Sequence, residues 1–233
     1  MFTADAEWHA LLGNAIGGLR ASLAVLRTDI AQFEALEGWF RPVNIEIPHE
    51  DSITQALCGI FRKLKARQSQ SDEFIPGVDL RQIHISLQDR RPLDPGIGPN
   101  MNPTDYMLLT SDTDLDLRIE AKIVAEDGDI TEYLGTQGLR RFEDARNPYT
   151  LAPYGGMVAY VVDLDEHQWR QSIAARLQRR LGAERLRTVA IGGSPLVLSS
   201  HECTPERLNG GTTRLRTEVA HFVLEVDANP RRR

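Results

Sequence analysis

The stretch from Tyr106 to Val124 constrains the fold more than any other. Tyr106 to Leu109 is a short apolar run, Ser111-Asp-Thr-Asp114 is dense in turn formers, and Leu117 to Ile123 alternates apolar with polar residues. This is the pattern of a β-hairpin with one face against a core. Successive strand side chains point to opposite sides, so Leu117, Ile119, Ala121 and Ile123 form one face and Arg118, Glu120 and Lys122 the other. With a four-residue loop centred between Asp112 and Thr113, Asp105 falls directly across from Glu120, at a Cβ separation of roughly 5 Å. Two carboxylates at that spacing repel unless positive charge lies between them, and a hard divalent cation with oxygen ligands is the common solution.

Lys122 stands beside this pair in a chain almost free of lysine. Of the 27 lysines and arginines, only Lys63, Lys65 and Lys122 are lysines. A compact ammonium aims one charge at one oxygen, where a guanidinium is a broad fork. Asp105 with Glu120-x-Lys122 suits hydrolysis of a phosphodiester: the acids hold a cation that activates water, and the ammonium orients the nucleophile and stabilises developing charge. The competing reading is a Glu-x-Lys pair on a solvated strand face. Register with Asp105, the scarcity of lysine and the apolar opposite face favour a site. Asp112, Asp114 and Asp116 read as a solvated turn.

At 233 residues the chain can build one substantial core. The expected organisation is a helical extension over residues 1–40, a main domain over 41–228 and a tail over 229–233. A net charge of −6 weighs against a packaging role on nucleic acid but leaves room for a local basic groove. Arg140 with Arg141, Arg176 with Arg179 and Arg180, and Arg185 with Arg187 can line such a groove or form solvated faces. Cys58 and Cys203 make no disulfide framework and no zinc spacing. No run approaches a membrane span and no leader pattern is present, so the expectation is a cytoplasmic protein without a membrane partner. None of the six histidines pair at helix-type ligand spacing, although His49 adjoins Glu50.

Along the chain, Ala6 to Leu36 has helical spacing with Gly17-Gly18 as a weak point, and Asp51 to Lys65 carries one apolar stripe. Glu50, at the head of that stripe, is either part of a helix cap with Asp51 or Ser52, or a metal ligand. Val78 to Leu87 reads as a strand, and Asp89 to Thr104 as a long irregular loop. Asp129 with Glu132 resembles a cap for a helix reaching about Ala145 and bearing Gln137, Arg140 and Arg141. Gly155 to Val162 reads as a buried strand and Asp165 to Leu181 as a helix. Val189 to Ile191, Leu196 to Leu198 and Val219 to Val226 complete the strands. Helices flanking a mixed sheet make the class α/β.

A helix with Glu50, a strand, a loop, a hairpin with Asp105 and Glu120-x-Lys122, then a helix with Gln137, is an ordering that resembles the PD-(D/E)xK nuclease superfamily. The likeness spans residues 45–165, with Pro103-Thr104 before Asp105 where the motif has proline alone. It implies a restriction-endonuclease-like core, a central mixed sheet flanked by helices. It also implies Mg²⁺, with Mn²⁺ substituting, held by Glu50, Asp105 and Glu120. Lys122 matches the motif lysine, Gln137 looks like a supporting glutamine, and Arg140 and Arg141 are candidates for substrate phosphate. The activity implied is a DNA endonuclease of bacterial restriction or anti-phage defence, with DNA ahead of RNA. A homodimer and a partner protein of a defence system are the partners it implies. The rival is a non-catalytic or partner-gated nucleic-acid-binding or assembly subunit, which is expected to have lost the lysine or an acid. An unrelated small-molecule enzyme would need a phosphate-cradling glycine loop, a nucleophile elbow or a Cys/His signature, and the chain has none of these.

Overall fold

The computed structural model describes residues 4–41, 47–71, 75–87, 104–111, 115–162, 165–206 and 213–226. Seven strands form one mixed sheet in the order β1-β2-β3-β4-β7-β6-β5. They are β1 Ile83–Leu87, β2 Tyr106–Thr110, β3 Asp116–Val124, β4 Tyr154–Val161, β5 Leu186–Ile191, β6 Ser194–Cys203 and β7 Leu215–Glu225. The pairs β3–β4 and β4–β7 are parallel and the other neighbours antiparallel. Helices α1 Ala4–Thr28 and α3 Glu50–Ser71 cover one face, with the short α2 Ile30–Glu34 following α1. The other face carries α4 Asp127–Tyr133, a 3₁₀ segment Leu139–Glu143 and α5 Glu166–Leu181. The α/β class expected from the sequence is therefore observed.

The central strand β4 explains the two cores. Val158 and Tyr160 pack with α1 and α3, while Met157, Ala159 and Val161 pack with α4 and α5. A strand covered on both faces needs a continuous apolar run rather than alternation, and Gly155 to Val162 supplies one. The apolar stripe of α3 is likewise buried as its spacing predicts, through Ile53, Leu57, Ile60, Phe61 and Leu64.

Three sequence expectations change. Gly17-Gly18 is no weak point: α1 is continuous there, and the helix first breaks near Asp29. A Cβ on Gly18 would lie 2.3 Å from Phe61 and 2.8 Å from Leu80, and one on Gly17 2.4 Å from Val78. The glycines are the surface on which α3 and the segment before β1 approach α1. Next, α1 from Asp5 to Thr28 is long and apolar enough to cross a membrane by length and composition, contrary to the absence of any such run. Its Leu12, Leu19 and Leu26 are fully buried in the same cluster as the sheet, however. Finally, no single helix runs from Asp129 to Ala145. A Cβ at Gly138 would fall 2.2 Å from the Tyr133 carbonyl oxygen, so the chain folds back there as only glycine allows. Asp129 caps by accepting from the Ala125 and Glu126 N–H groups, with Glu126 as the N-cap of a helix that starts at Asp127.

Strands β6 and β7 are longer than their apolar runs because polar residues are buried in them. Tyr133 Oη lies 2.9 Å from His221 Nδ1, and Ser199 Oγ lies 2.7 Å from both His221 Nε2 and His201 Nε2. His201 Nδ1 then meets Glu143 at 3.0 Å, which also pairs with Arg185 at 2.6 Å. Buried polar groups satisfied in this way tie α4, the 3₁₀ segment, β6 and β7 together.

Burial, with His201 adding to it, pushes the His221 pKa down to about 3. The unfolded chain takes up this proton near pH 6.5 and the folded one does not, so stability is lost as pH falls from about 6.5 towards 3. His221→Gln is expected to cost about 1–3 kcal/mol at pH 7, because Tyr133 and Ser199 lose a partner. Urea unfolding should show this gap narrowing as pH falls from 6.5 to 4, and a constant gap would refute the assignment. Gly18→Val is expected to lower stability by about 1–3 kcal/mol through overpacking against Phe61 and Leu80, read from the urea midpoint.

Candidate active site

Strand β3 has nine residues and β2 five. Their register runs from Leu109 opposite Asp116 to Tyr106 opposite Ile119, the register expected from the loop. Beyond Ile119, β3 continues against β4 alone, up to Val124 opposite Val161. The Ala121 and Ile123 N–H groups thus face the side that β2 has left, and both are taken by carboxylates. Ala121 N–H donates to Asp105 Oδ2 at 2.7 Å, and Ile123 N–H donates to Glu50 Oε2 at 3.0 Å. Asp105 sits one position before β2, facing Glu120.

Lys122 completes the group. Its Nζ lies 2.8 Å from Glu120 Oε1 and 3.1 Å from Glu50 Oε1. This contact sets aside the helix-cap reading of Glu50, since its side chain turns to β3 and not to its own helix. The first turn of α3 is served by His49, whose Nδ1 accepts from the Asp51 N–H at 3.3 Å and whose carbonyl accepts from Ser52 and Ile53. The elements bearing Glu50 and Asp105 are held together from beneath. Thr54 Oγ1, one turn into α3, lies 3.0 Å from Tyr160 Oη on β4, which in turn meets Tyr106 Oη on β2 at 2.5 Å.

Negative charge exceeds positive here. Burial, reinforced by the neighbouring Glu120 charge, raises the Asp105 pKa to about 8. Burial also raises Glu120, against the pull of Lys122. For Lys122 burial favours the neutral amine, but Glu120 and Glu50 together outweigh it and hold the ammonium charged. Carboxylate oxygens of Glu50, Asp51 and Asp105 lie within 4.8 Å of one another. An all-oxygen set of this kind at a site of excess negative charge fits a hard divalent cation. Asp51 enters this set although sequence reasoning saw in it only a helix cap; its sole signal is adjacency to Glu50. Glu120, expected among the ligands, is drawn to Lys122.

The remaining sequence candidates lie one layer out. Gln137 is exposed in the turn before the 3₁₀ segment, and its carboxamide accepts from Arg141. Arg140 is exposed on the same segment, and the Arg141 guanidinium sits 5.8 Å from the centroid of the Tyr149 ring. Tyr149, absent from the sequence candidates, is 2% exposed, and its hydroxyl donates to the Gln137 carbonyl at 3.4 Å. Asp116 pairs with the buried Arg118 at 3.0 Å, whereas Asp112, Asp114 and most of the 89–104 loop lie outside the described residues. No protein-family model, no curated protein and no solved structure matches the chain.

The Asp105 shift carries a sign. Its folded pKa lies above the unfolded value near 3.9, so the folded state is favoured at low pH and loses stability as pH rises towards about 8. Asp105→Asn removes that charge and keeps an oxygen for the Ala121 N–H. In EDTA it is expected to stabilise the protein by on the order of 2 kcal/mol at pH 8 and by much less at pH 5. Urea midpoints at the two pH values test this, and an equal shift at both would contradict the raised pKa.

Proposed function

We propose that the protein is a metal-dependent nuclease that hydrolyses phosphodiester bonds, a DNA endonuclease of bacterial restriction or anti-phage defence. The observation carrying this reading is the convergence on Lys122 of Glu50 and Glu120, with Asp105 on the same strand edge. The reading also draws on the PD-(D/E)xK-like ordering of these residues along the chain.

Glu50, Asp51 and Asp105 are the residues that would hold Mg²⁺ or Mn²⁺. When bound, such a cation supplies positive charge to the phosphate and lowers the pKa of a coordinated water. Asp105 and Glu50, anchored to main-chain N–H groups of β3, keep fixed orientations before substrate arrives. Glu120 aims the Lys122 ammonium, which in this reading meets a phosphate oxygen and stabilises the charge that develops in the transition state. Arg140 and Arg141 offer cations for flanking phosphates. A second reading, a partner-gated nucleic-acid-binding subunit, draws support from Lys122 being closed on two acids, an arrangement that a partner would have to loosen.

Supercoiled plasmid, single-stranded DNA and RNA, incubated with the protein in Mg²⁺, Mn²⁺ or EDTA, separate these readings. Cutting of DNA that requires the metal is expected, reduced by on the order of 100-fold or more in Lys122→Ala and in Glu120→Ala with folding intact. Unchanged cutting in both variants would sink the nuclease reading, and binding of DNA without cutting would favour the gated subunit.

A further inference from the structure

Tyr133, His221, Ser199, His201 and Glu143 form one row of hydrogen bonds, with successive contacts of 2.9, 2.7, 2.7 and 3.0 Å. The first four are buried. Glu143 is half-buried and lines an open cleft with Arg185, Glu202, Thr204 and Arg214. A hydroxyl has one proton to donate and a neutral imidazole has one, so the bonds of such a row share a direction. Glu143 sets it. Its contacts with His201 and Arg185, working against burial, lower its carboxyl to about 2, and an ionised carboxylate only accepts. His201 therefore carries its proton on Nδ1. Its Nε2 accepts from Ser199, Ser199 accepts from His221 Nε2, and His221 Nδ1 accepts from Tyr133. Any other neutral tautomer would set two lone pairs face to face at these distances.

We propose that this row is a proton-controlled switch. One added proton makes His201 an imidazolium against Glu143 and reverses every bond from Ser199 to Tyr133, so that the Tyr133 hydroxyl turns from His221 to the Met157 carbonyl. The protons balance. That of Ser199 passes to His201 Nε2, that of His221 leaves Nε2 for Ser199, that of Tyr133 passes to His221 Nδ1, and the added one stays on Tyr133. The acceptor this requires is present, since the Met157 carbonyl oxygen lies 3.3 Å from the Tyr133 hydroxyl. The reversed row thus keeps each of its bonds and gains one. The charge settles on His201 because burial, followed by His201 itself, holds His221 down to about 3. Burial also keeps the Tyr133 phenol protonated.

The charged and titratable groups facing His201 come from three directions among the described residues. Glu143, on the 3₁₀ segment, favours the imidazolium. Arg185, before β5, lies 3.5 Å from His201 Nδ1 and opposes it, but its guanidinium is already engaged by Glu143 and the Ser200 carbonyl. His221, on β7, faces it through Ser199 and stays neutral. Thr217, opposite His201 in the β6–β7 register, and the Phe142 ring at 6.4 Å add no charge. Glu202, next on β6, pairs with Arg214 at the cleft. At the far end Met157 stands opposite Glu120 in the β3–β4 register. The protonation state of a His–Glu pair at the cleft is thereby registered by a main-chain carbonyl of the strand beside the acids. The switch does not rest on the nuclease reading.

Long-range ¹H–¹⁵N spectra of the full-length protein labelled with ¹⁵N-histidine distinguish the two neutral tautomers from the imidazolium. The signals of His201 and His221 are assigned by their loss in His201→Gln and His221→Gln. At pH 8 His201 should carry its proton on Nδ1 and His221 on Nε2. As pH is lowered, His201 should become an imidazolium while His221 stays neutral and changes to the Nδ1–H form at the same midpoint. A His221 that keeps Nε2–H while His201 titrates, or a His201 that stays neutral for as long as the protein is folded, overturns the switch. Carbonyl-¹³C labelling of the four methionines reads the other end, with Met157 assigned by Met157→Leu. Its signal should move at that midpoint, and an unmoved signal overturns the proposal. In Ser199→Ala the row is cut, so His201 should titrate with His221 fixed in one tautomer; a coupled change there also overturns it. Should that variant fail to fold, Glu143→Gln answers in its place. Both transitions should then move together to lower pH by about 1 or more, and movement of one alone overturns the switch.

Discussion

The arrangement depends on a mismatch in length between neighbouring strands. β3 outruns β2, and the two N–H groups left facing the vacated side would be an open sheet edge if nothing accepted them. Asp105 and Glu50 accept them. The same contacts that finish the sheet therefore gather acids from two distant parts of the chain onto one strand end. A buried carboxylate needs a strong donor, and an orphaned edge amide needs a strong acceptor. Each solves the other's problem, and the site is a by-product of closing the fold.

That closure leaves an electrostatic debt. Glu50, Asp105 and Glu120 cluster around a single ammonium, in surroundings dry enough to lift Asp105 to about 8. The Thr54–Tyr160–Tyr106 hydroxyl chain keeps α3 and β2 from moving apart to relieve the repulsion. Sites that hold unbalanced charge against a rigid frame are unstable in isolation and gain from a ligand of opposite sign. The oxygens of Glu50, Asp51 and Asp105 are the place where such a cation would sit.

How much of this could be read from the sequence follows from how far each signal travels. The hairpin register was legible because turn formers and alternation are local, and the facing of Asp105 with Glu120 follows from them. The continuous apolar run of β4 was legible for the same reason. Gly17-Gly18 was misread because its meaning lies in Phe61, Leu80 and Val78, which only tertiary packing brings near. The full extents of β6 and β7 were hidden by Ser199, His201 and His221, polar residues that are at home in a core only because they satisfy one another across strands. Tyr149 carried no signal, since an irregular segment has no period to mark which side chain turns inward. Gln137 was singled out by order along the chain, yet its exposed side chain meets Arg141 rather than any of the acids, a placement that order along the chain does not encode.

Mn²⁺ titration followed by electron paramagnetic resonance, on the unaltered protein and on Asp105→Asn, tests most directly whether this edge is a cation site. The account predicts saturable binding at about one ion per chain, displaced by Mg²⁺ and weakened at least tenfold in the variant. Binding of equal strength in both proteins, or none in either, would contradict it.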